Sequence, residues 1–538
     1  MDRLALPNST NTQEGDYLDF LYDLSPEVKV VITTRERILF HPIRLEQLPE
    51  AEGLDLIAYE AREKNIALSD NDARVLYRRT GGVPAAIVYT VGQLAAGYSV
   101  AFVLKKVADA KSDVARFCFE MAVEQLRGQP AHSLLMATAI FPKRPLPMAV
   151  AYVAGQSDPI AVEEGLAQLH CLSLVERSDD GRYNMLPLTR EYALAELAVH
   201  SGFEHQARER WVNWYVSFAN EHGGADWRWK EWHIAYDRLE EEWENFLAVF
   251  EWCAAHDRYE DIKAFWDFWQ EGGVSEFANT YGHWVDRLYW LDWLFRAAEQ
   301  RGDWSTAAQS LSEKGWTRVV MGQPLEEVQT DLLQAQELCQ MRGDADPKAL
   351  LRVANLAATL CMYQRRYTEA VHWLDESETL LTKTQVDGDE HTRAYDIRKR
   401  VGITYRRGTI LYETQCYDQA EALFREVIAQ CEAIGWQRIA IHSQKWLADC
   451  GIAQGNLDEA EHLLKDGLPV AERNRDRRFA ALYKRSLAYL EHKRGNQAAS
   501  WRWAAQARDG FDNLEMYLEA EEMSQLLAER GDQDTSNE

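Results

Sequence analysis

The feature that most constrains this chain is a repeat in its second half. Small residues recur at Ala370, Ala420, Ala460 and Ser500, at spacings of 50, 40 and 40. Other columns travel with them. Three residues earlier lie Tyr367, Tyr417, Leu457 and Gln497; five earlier, Arg365, Gln415, Gly455 and Gly495; twelve earlier, Ala358, Gly408, Ala448 and Ala488. Small side chains at such offsets let two antiparallel helices approach closely, while the ring or Leu plugs the hairpin. Each hairpin can bury its apolar face only against its neighbours, so the expected architecture is an α-solenoid over 301–530. A degenerate earlier copy centres on Val328, with Gly302-Asp303-Trp304 ending the hairpin before it.

This pattern resembles the tetratricopeptide repeat, with helices longer than its usual period of about 34 residues. At 538 residues the chain is too long for one core and implies three or four packing units. Its formal charge of −27 argues against a nucleic acid or an anionic membrane as partner, since most of the surface would repel either. The eight cysteines are scattered without a CxxC, and no His pair stands at ligand spacing. That usage suits buried thiols in a reducing cytosol and gives no expectation of a disulfide framework or metal site. No apolar run reaches the roughly 18 residues that a bilayer requires, and no secretion signal opens the chain. The expected location is the cytoplasm.

Four further segments precede the solenoid. In residues 1–48 the run Val28 to Thr34 reads as a strand buried on both faces, as in a parallel sheet. Such a strand needs neighbours, and nothing before it supplies them, so the segment reads as part of a cut domain. Residues 49–112 read as helical, the part that the resemblance described below makes a lid: Ser69 caps a helix through Arg79, Gly81-Gly82 stop it, and Pro84 opens the next. Residues 113–200 read as helices and one hairpin, with strands Leu172 to Ser178 and Arg182 to Leu186 about an Asp179-Asp180-Gly181 turn. That is the pattern of a winged helix, followed by a helix from Pro187 to His200. Residues 201–300 form a Trp-rich helical linker; the stretch 211–316 holds fourteen of the nineteen tryptophans, including Trp211, Trp214, Trp227, Trp229, Trp232 and Trp243. They read either as rings filling wide spaces between hairpins or as an aromatic ligand pocket. The tail, 531–538, is polar and expected to be disordered.

Val28-Lys29-Val30-Val31-Ile32-Thr33-Thr34-Arg35 resembles the strand and TTR motif of the NB-ARC and related STAND signalling ATPases. Ile43 to Leu48 is similar to the short strand that closes the family's core, Gly82-Val83-Pro84 to its GxP motif, and Met185 to Tyr192 to its winged-helix end. The resemblance implies that Thr33, Thr34 and Arg35 stand at the nucleotide phosphates, with Arg35 sensing the terminal one. It implies that Gly82 lets backbone approach the nucleotide and that Pro84 lies against adenine. Asp2, thirty-one residues before Thr33, stands where the family has a magnesium-binding acid. Two departures matter. Leu186-Pro187 follows Met185 where the family often carries the His of an MHD motif, and no GxxxxGK[ST] loop occurs. Without that loop nothing cradles phosphates or supplies the lysine, so the chain as it stands is expected not to hydrolyse ATP. No cofactor is expected to bind it tightly; ADP or ATP belongs to a complete parent.

The sequence reading is a mainly α regulatory protein: the remnant of a P-loop core, a helical lid, a winged helix and a solenoid that senses a protein or small-molecule ligand. Self-association is compatible with it. The alternative is a free-standing interaction scaffold without nucleotide function. A weaker one is a fragment of a transcriptional activator. Against DNA contact, the helix in the recognition position, 158–170, carries Asp158, Glu163 and Glu164 and no Lys or Arg.

Overall fold

The computed structural model describes residues 47–107, 114–224, 232–266, 273–341, 346–384 and 390–534. Asp2, the Val28–Thr34 run and the triad Thr33, Thr34 and Arg35 lie outside them.

The repeat columns become hairpins. Helices Pro347–Tyr363 and Tyr367–Thr384, Glu390–Glu413 and Tyr417–Ile434, Gln437–Gln454 and Leu457–Arg473, and Arg477–Lys493 and Gln497–Asp512 pair in turn. Each column has a physical role. Ala370, Ala420, Ala460 and Ser500 are at most 1% exposed, one turn into the second helix, where any larger side chain would push the pair apart. Ser500 Oγ donates to the carbonyl of Ala488, the residue twelve before it, at 2.9 Å. At Gly408, also twelve before its anchor, a Cβ would come within 2.8 Å of the Phe424 ring. The column five before the anchor is the turn itself: Arg365, Gln415, Gly455 and Gly495 have φ of +59°, +63°, +89° and +78°. The next residue in each then donates back five positions, as Asn456 N–H does to Gly451 O at 2.7 Å. This left-handed closure satisfies carbonyls left open at a helix end.

The copy centred on Val328 is present. Helices Trp304–Val320 and Leu325–Met341 pair about Gly322, with φ +70°, and Val328 is fully buried. Before it, Gly302 closes helix Trp284–Arg301 in the same left-handed conformation.

In the first half, the Ser69 hydroxyl accepts from Asp72 N–H at 3.1 Å to open helix Asp70–Thr80, Gly81 closes it at φ +63°, and Pro84 starts helix Pro84–Ala95. Helices Val114–Leu126, Pro130–Ile140, Pro147–Ala154 and Pro159–Cys171 lead to a two-stranded hairpin, then to helix Pro187–Val199. The hairpin is shorter than the sequence suggests: only Glu176–Arg177 pairs with Tyr183–Asn184. Leu172 to Ser173 instead close the preceding helix, with Ser173 at φ +60° and Leu174 N–H donating to Leu169 O at 2.9 Å. The apolar side chains of Leu172, Leu174 and Val175 serve the helix core, which is why the run looks strand-like. Tyr89 Oη and Thr189 Oγ1, 2.6 Å apart, tie helix Pro84–Ala95 to helix Pro187–Val199.

The tryptophans mostly pack. Trp211, Trp232, Trp266, Trp284 and Trp290 are at most 2% exposed, and Trp211, Trp266 and Trp290 meet other rings, as Trp290 meets Phe250 at 4.8 Å between centroids. Trp227 and Trp229 lie outside the described residues. No helix among the described residues is long and apolar enough to cross a membrane.

Candidate ligand-binding site

Of the residues the nucleotide resemblance singles out, the described ones are Gly82 and Pro84. Gly82 is buried at φ +67°, and a Cβ there would sit 2.7 Å from Leu48 O. Leu48 N–H donates to Gly82 O at 2.9 Å, and Tyr77 Oη donates to Leu48 O at 2.8 Å. The close approach that demands glycine is thus made by the chain's own backbone. Pro84 is exposed at the first position of its helix, where its missing N–H costs nothing.

A cavity of about 570 Å³ lies on the inner side of the solenoid. It is walled chiefly by the first helices of the hairpins, with Glu276 of helix Ser275–Tyr281 and Glu519 of helix Tyr517–Asp534 at its margins. Residues three or four apart on one helix share a face, so Arg352, Asn355 and Thr359 reach it from one helix and Arg438, His442 and Trp446 from another. Eight Lys or Arg and five Asp or Glu line it, an excess of three positive charges inside a chain whose net charge is −27. Sequence reasoning missed this site, although a signal exists. Twenty-two residues before the anchors stand Lys348, Arg398, Arg438 and Arg478, a wholly basic column. The last three line the cavity.

The charges are arranged in two groups. In the first, Glu313 pairs with Arg287 at 2.5 Å and with Arg352. Burial alone would push its carboxyl up, but Arg352, Arg287 and Lys399 outweigh burial and hold it at about 2. In the second, Asp476 Oδ2 accepts from Arg438 Nε at 3.0 Å and from His442 Nε2 at 2.8 Å, while Arg438 also pairs with Glu276. Burial pushes His442 down to about 4 against the pull of Asp476, so the imidazole donates as a neutral ring. It stacks on Phe479. Arg406 and Arg478 differ from these. Neither has a carboxylate within ion-pair distance among the described residues. Arg406 donates to Asn355 Oδ1 at 3.2 Å, and burial lowers its pKa. Arg478 stands 5.9 Å from the Trp316 ring centroid, with its Nε buried and unbonded.

The cavity wall continues into a joint with the linker. Beside Asp476, Arg475 Nε pairs with Asp237 at 3.1 Å, Arg477 with Glu240 at 3.4 Å, and Asn474 Oδ1 lies 2.9 Å from His233 Nδ1. Asp237 and Glu240 belong to helix His233–Glu241, whose end carries Glu241 and Glu242. Those two carboxylates receive Arg182 of the hairpin, at 2.9 Å for Glu241; Glu242 also accepts from Tyr215 Oη at 2.6 Å and Asn245 Nδ2 at 2.8 Å. One short helix therefore touches the cavity loop on one side and the hairpin at its end.

Away from the cavity, His132, Glu196 and His200 bring potential ligand atoms within 4.8 Å of one another. As they stand, His132 Nε2 lies 3.1 Å from Glu196 Oε1 and the Arg127 guanidinium 3.7 Å from the same oxygen. The arginine already supplies the positive charge that a metal ion would bring.

No family model matches the chain. The transcription activator GutR of Bacillus subtilis (strain 168) is 22% identical over 295 residues, 48% of this chain and 35% of GutR. The matched part thus spans about a third of that curated relative. Among solved structures, the STAND protein with a tetratricopeptide repeat sensor PH0952 from Pyrococcus horikoshii aligns with 90% of this chain and 72% of its own, at TM-score 0.44 and 13% identity. The Rap protein complexed with competence and sporulation factor aligns with 64% of this chain and 99% of its own, at 0.33 and 12%. Yeast Tom70 aligns with 89% and 86%, at 0.32 and 14%.

Proposed function

We propose that this chain is the sensing part of a signal-transduction protein of the STAND type. A ligand in the solenoid cavity changes the loop Asn474–Arg477, and helix His233–Glu241 carries the change to the hairpin of a winged-helix module. The observation that carries this reading is a set of three charged contacts, His442–Asp476, Arg475–Asp237 and Arg182–Glu242, joined by the loop Asn474–Arg477 and by helix His233–Glu241 with its cap. Coupling between sites needs a physical element that both sites bias, and this helix is one. In a complete parent the change would reach an ADP or ATP site through the lid that carries Gly82 and Pro84. The chain itself, without a phosphate loop, turns over no ATP in this reading. As a free-standing scaffold, the same solenoid would bind its partner without moving the hairpin.

The test is a thermal-shift screen of the full chain against neutral, cationic and anionic metabolites, with amide exchange measured on every hit. The reading expects a hit to protect the cavity helices and to alter exchange at 176–184. Hits that protect the cavity and leave 176–184 unchanged favour the scaffold. The likeness to GutR supports a second reading, a fragment of a transcriptional activator, which salt-sensitive DNA binding by the full chain would favour.

A further inference from the structure

Resting on the sensor reading, we propose that the cavity takes a small organic anion, its phosphate or carboxylate group held by Arg406 and Arg478 and its apolar body set against Trp316 and Phe479. Four observations carry this.

The first is charge. A surplus of cations inside a strongly acidic chain is costly to assemble unless something anionic arrives. The second is the state of the two arginines. Arg352, Arg438 and Arg485 in the wall already pair with carboxylates, whereas Arg406 and Arg478 face the cavity with no carboxylate within ion-pair distance among the described residues, Glu313 and Glu519 acting on them only from farther off. A guanidinium with no carboxylate in contact is a good oxyanion receptor, because its planar fork matches the oxygens of carboxylate and phosphate. Both arginines also act on the phenol of Tyr405, which sets them in one electrostatic neighbourhood.

The third is the backbone. Arg478 is the second residue of helix Arg477–Lys493, and Arg438 the second of Gln437–Gln454. A cation at a helix amino terminus opposes the helix dipole. Its recurrence there concentrates positive potential at one rim of the cavity. The fourth is size and lining. About 570 Å³ falls in the range that encloses a small molecule. Trp316 and Phe479 supply the apolar side, with the Phe479 ring centroid 5.7 Å from the Arg478 guanidinium carbon, while the Tyr363 phenol bonds Arg478.

The test titrates the full chain with phenyl phosphate and with benzoate at constant ionic strength, using benzamide as the neutral counterpart, and reads heat of binding and melting temperature. Saturable one-to-one binding of at least one anion is expected, with none of benzamide; the stronger of the two identifies phosphate or carboxylate as the recognised group. Arg406→Gln and Arg478→Gln should each weaken it about tenfold or more, as loss of a charge-assisted hydrogen bond does. Arg425→Gln, on an exposed arginine outside the cavity lining, should leave it unchanged. Circular dichroism checks that each variant is folded. Absence of saturable binding by both anions overturns the proposal, as does equal weakening in the Arg425 variant. Binding of hexaglutamate when both small anions fail also overturns it, in favour of an acidic peptide. A neutral metabolite that fills the cavity and alters exchange at 176–184 would sink the anion and leave the sensor reading standing. An anion that binds without reaching the hairpin would do the reverse.

Discussion

His442 Nε2 donates to Asp476 Oδ2 at 2.8 Å in the cavity wall, and that acceptor opens the helix that follows. Asp476 Oδ1 accepts from Phe479 N–H at 3.3 Å, while Oδ2 also takes Arg438. One carboxylate thus caps a helix, neutralises a cation and orients a neutral imidazole. The neighbouring Arg475 joins the same loop to Asp237.

Asp476→Asn should therefore cost far more than a surface change. It takes a carboxylate away from Arg438, a buried cation that also pairs with Glu276, and breaking a buried pair costs about 3–5 kcal/mol. Chemical unfolding of the full chain measures this. Glu459→Gln, which loosens an exposed pair with Arg425, should change stability by about 0.5 kcal/mol or less.

Acid should weaken the fold in two stages. His442 is lowered from 6.5 to about 4, so between those values the unfolded chain binds the extra proton and stability falls as pH falls. Glu313 is lowered from 4.5 to about 2, so its contribution is present above about 4.5 and is lost on further acidification through 2. Urea unfolding at pH 7 and pH 4.5 should differ less in His442→Gln than in the parent chain. The difference removed is up to about 3 kcal/mol.

The repeat turns make opposite predictions for two residues in the same column. Gln415 adopts φ +63° with a side chain, so Gln415→Gly should stabilise by about 1 kcal/mol; Gly455→Ala, at φ +89°, should destabilise by about as much. Melting temperatures of the two variants, moving in opposite directions, check this.

Much of the solenoid is legible in the sequence because close helix approach demands small residues at fixed offsets, and Ala358, Gly408, Ala448 and Ala488 announce it. The turn conformation is legible at Gly455 and Gly495 and hidden at Arg365 and Gln415, whose side chains give no sign of a positive φ. The hairpin of the first half is read too long because apolar Leu172, Leu174 and Val175 serve a helix end as readily as a strand. The cavity is written in the basic column at Arg398, Arg438 and Arg478, but net charge summed over the chain conceals it. The Arg182–Glu242 pair joins segments 60 residues apart and has no local signature.

Leu464 tests whether hairpins share one core. It is fully buried in helix Leu457–Arg473. Leu464→Asp inserts a carboxylate with no partner and should cost several kcal/mol, on the order of 3 or more. The loss should appear as lower helical ellipticity and an earlier melt.

Hydrogen exchange of the full chain carrying Asp476→Asn bears most directly on the central claim, that the cavity wall and the hairpin are coupled through helix His233–Glu241. The account predicts faster amide exchange than in the parent chain at 233–241 and at 176–184, besides the local change around 474–479. Arg182→Ala should reproduce the effect in reverse, loosening 474–479 from the hairpin side, because coupling is reciprocal. Loss of protection confined to 437–493 in the first variant, with 176–184 exchanging as before, would contradict the account.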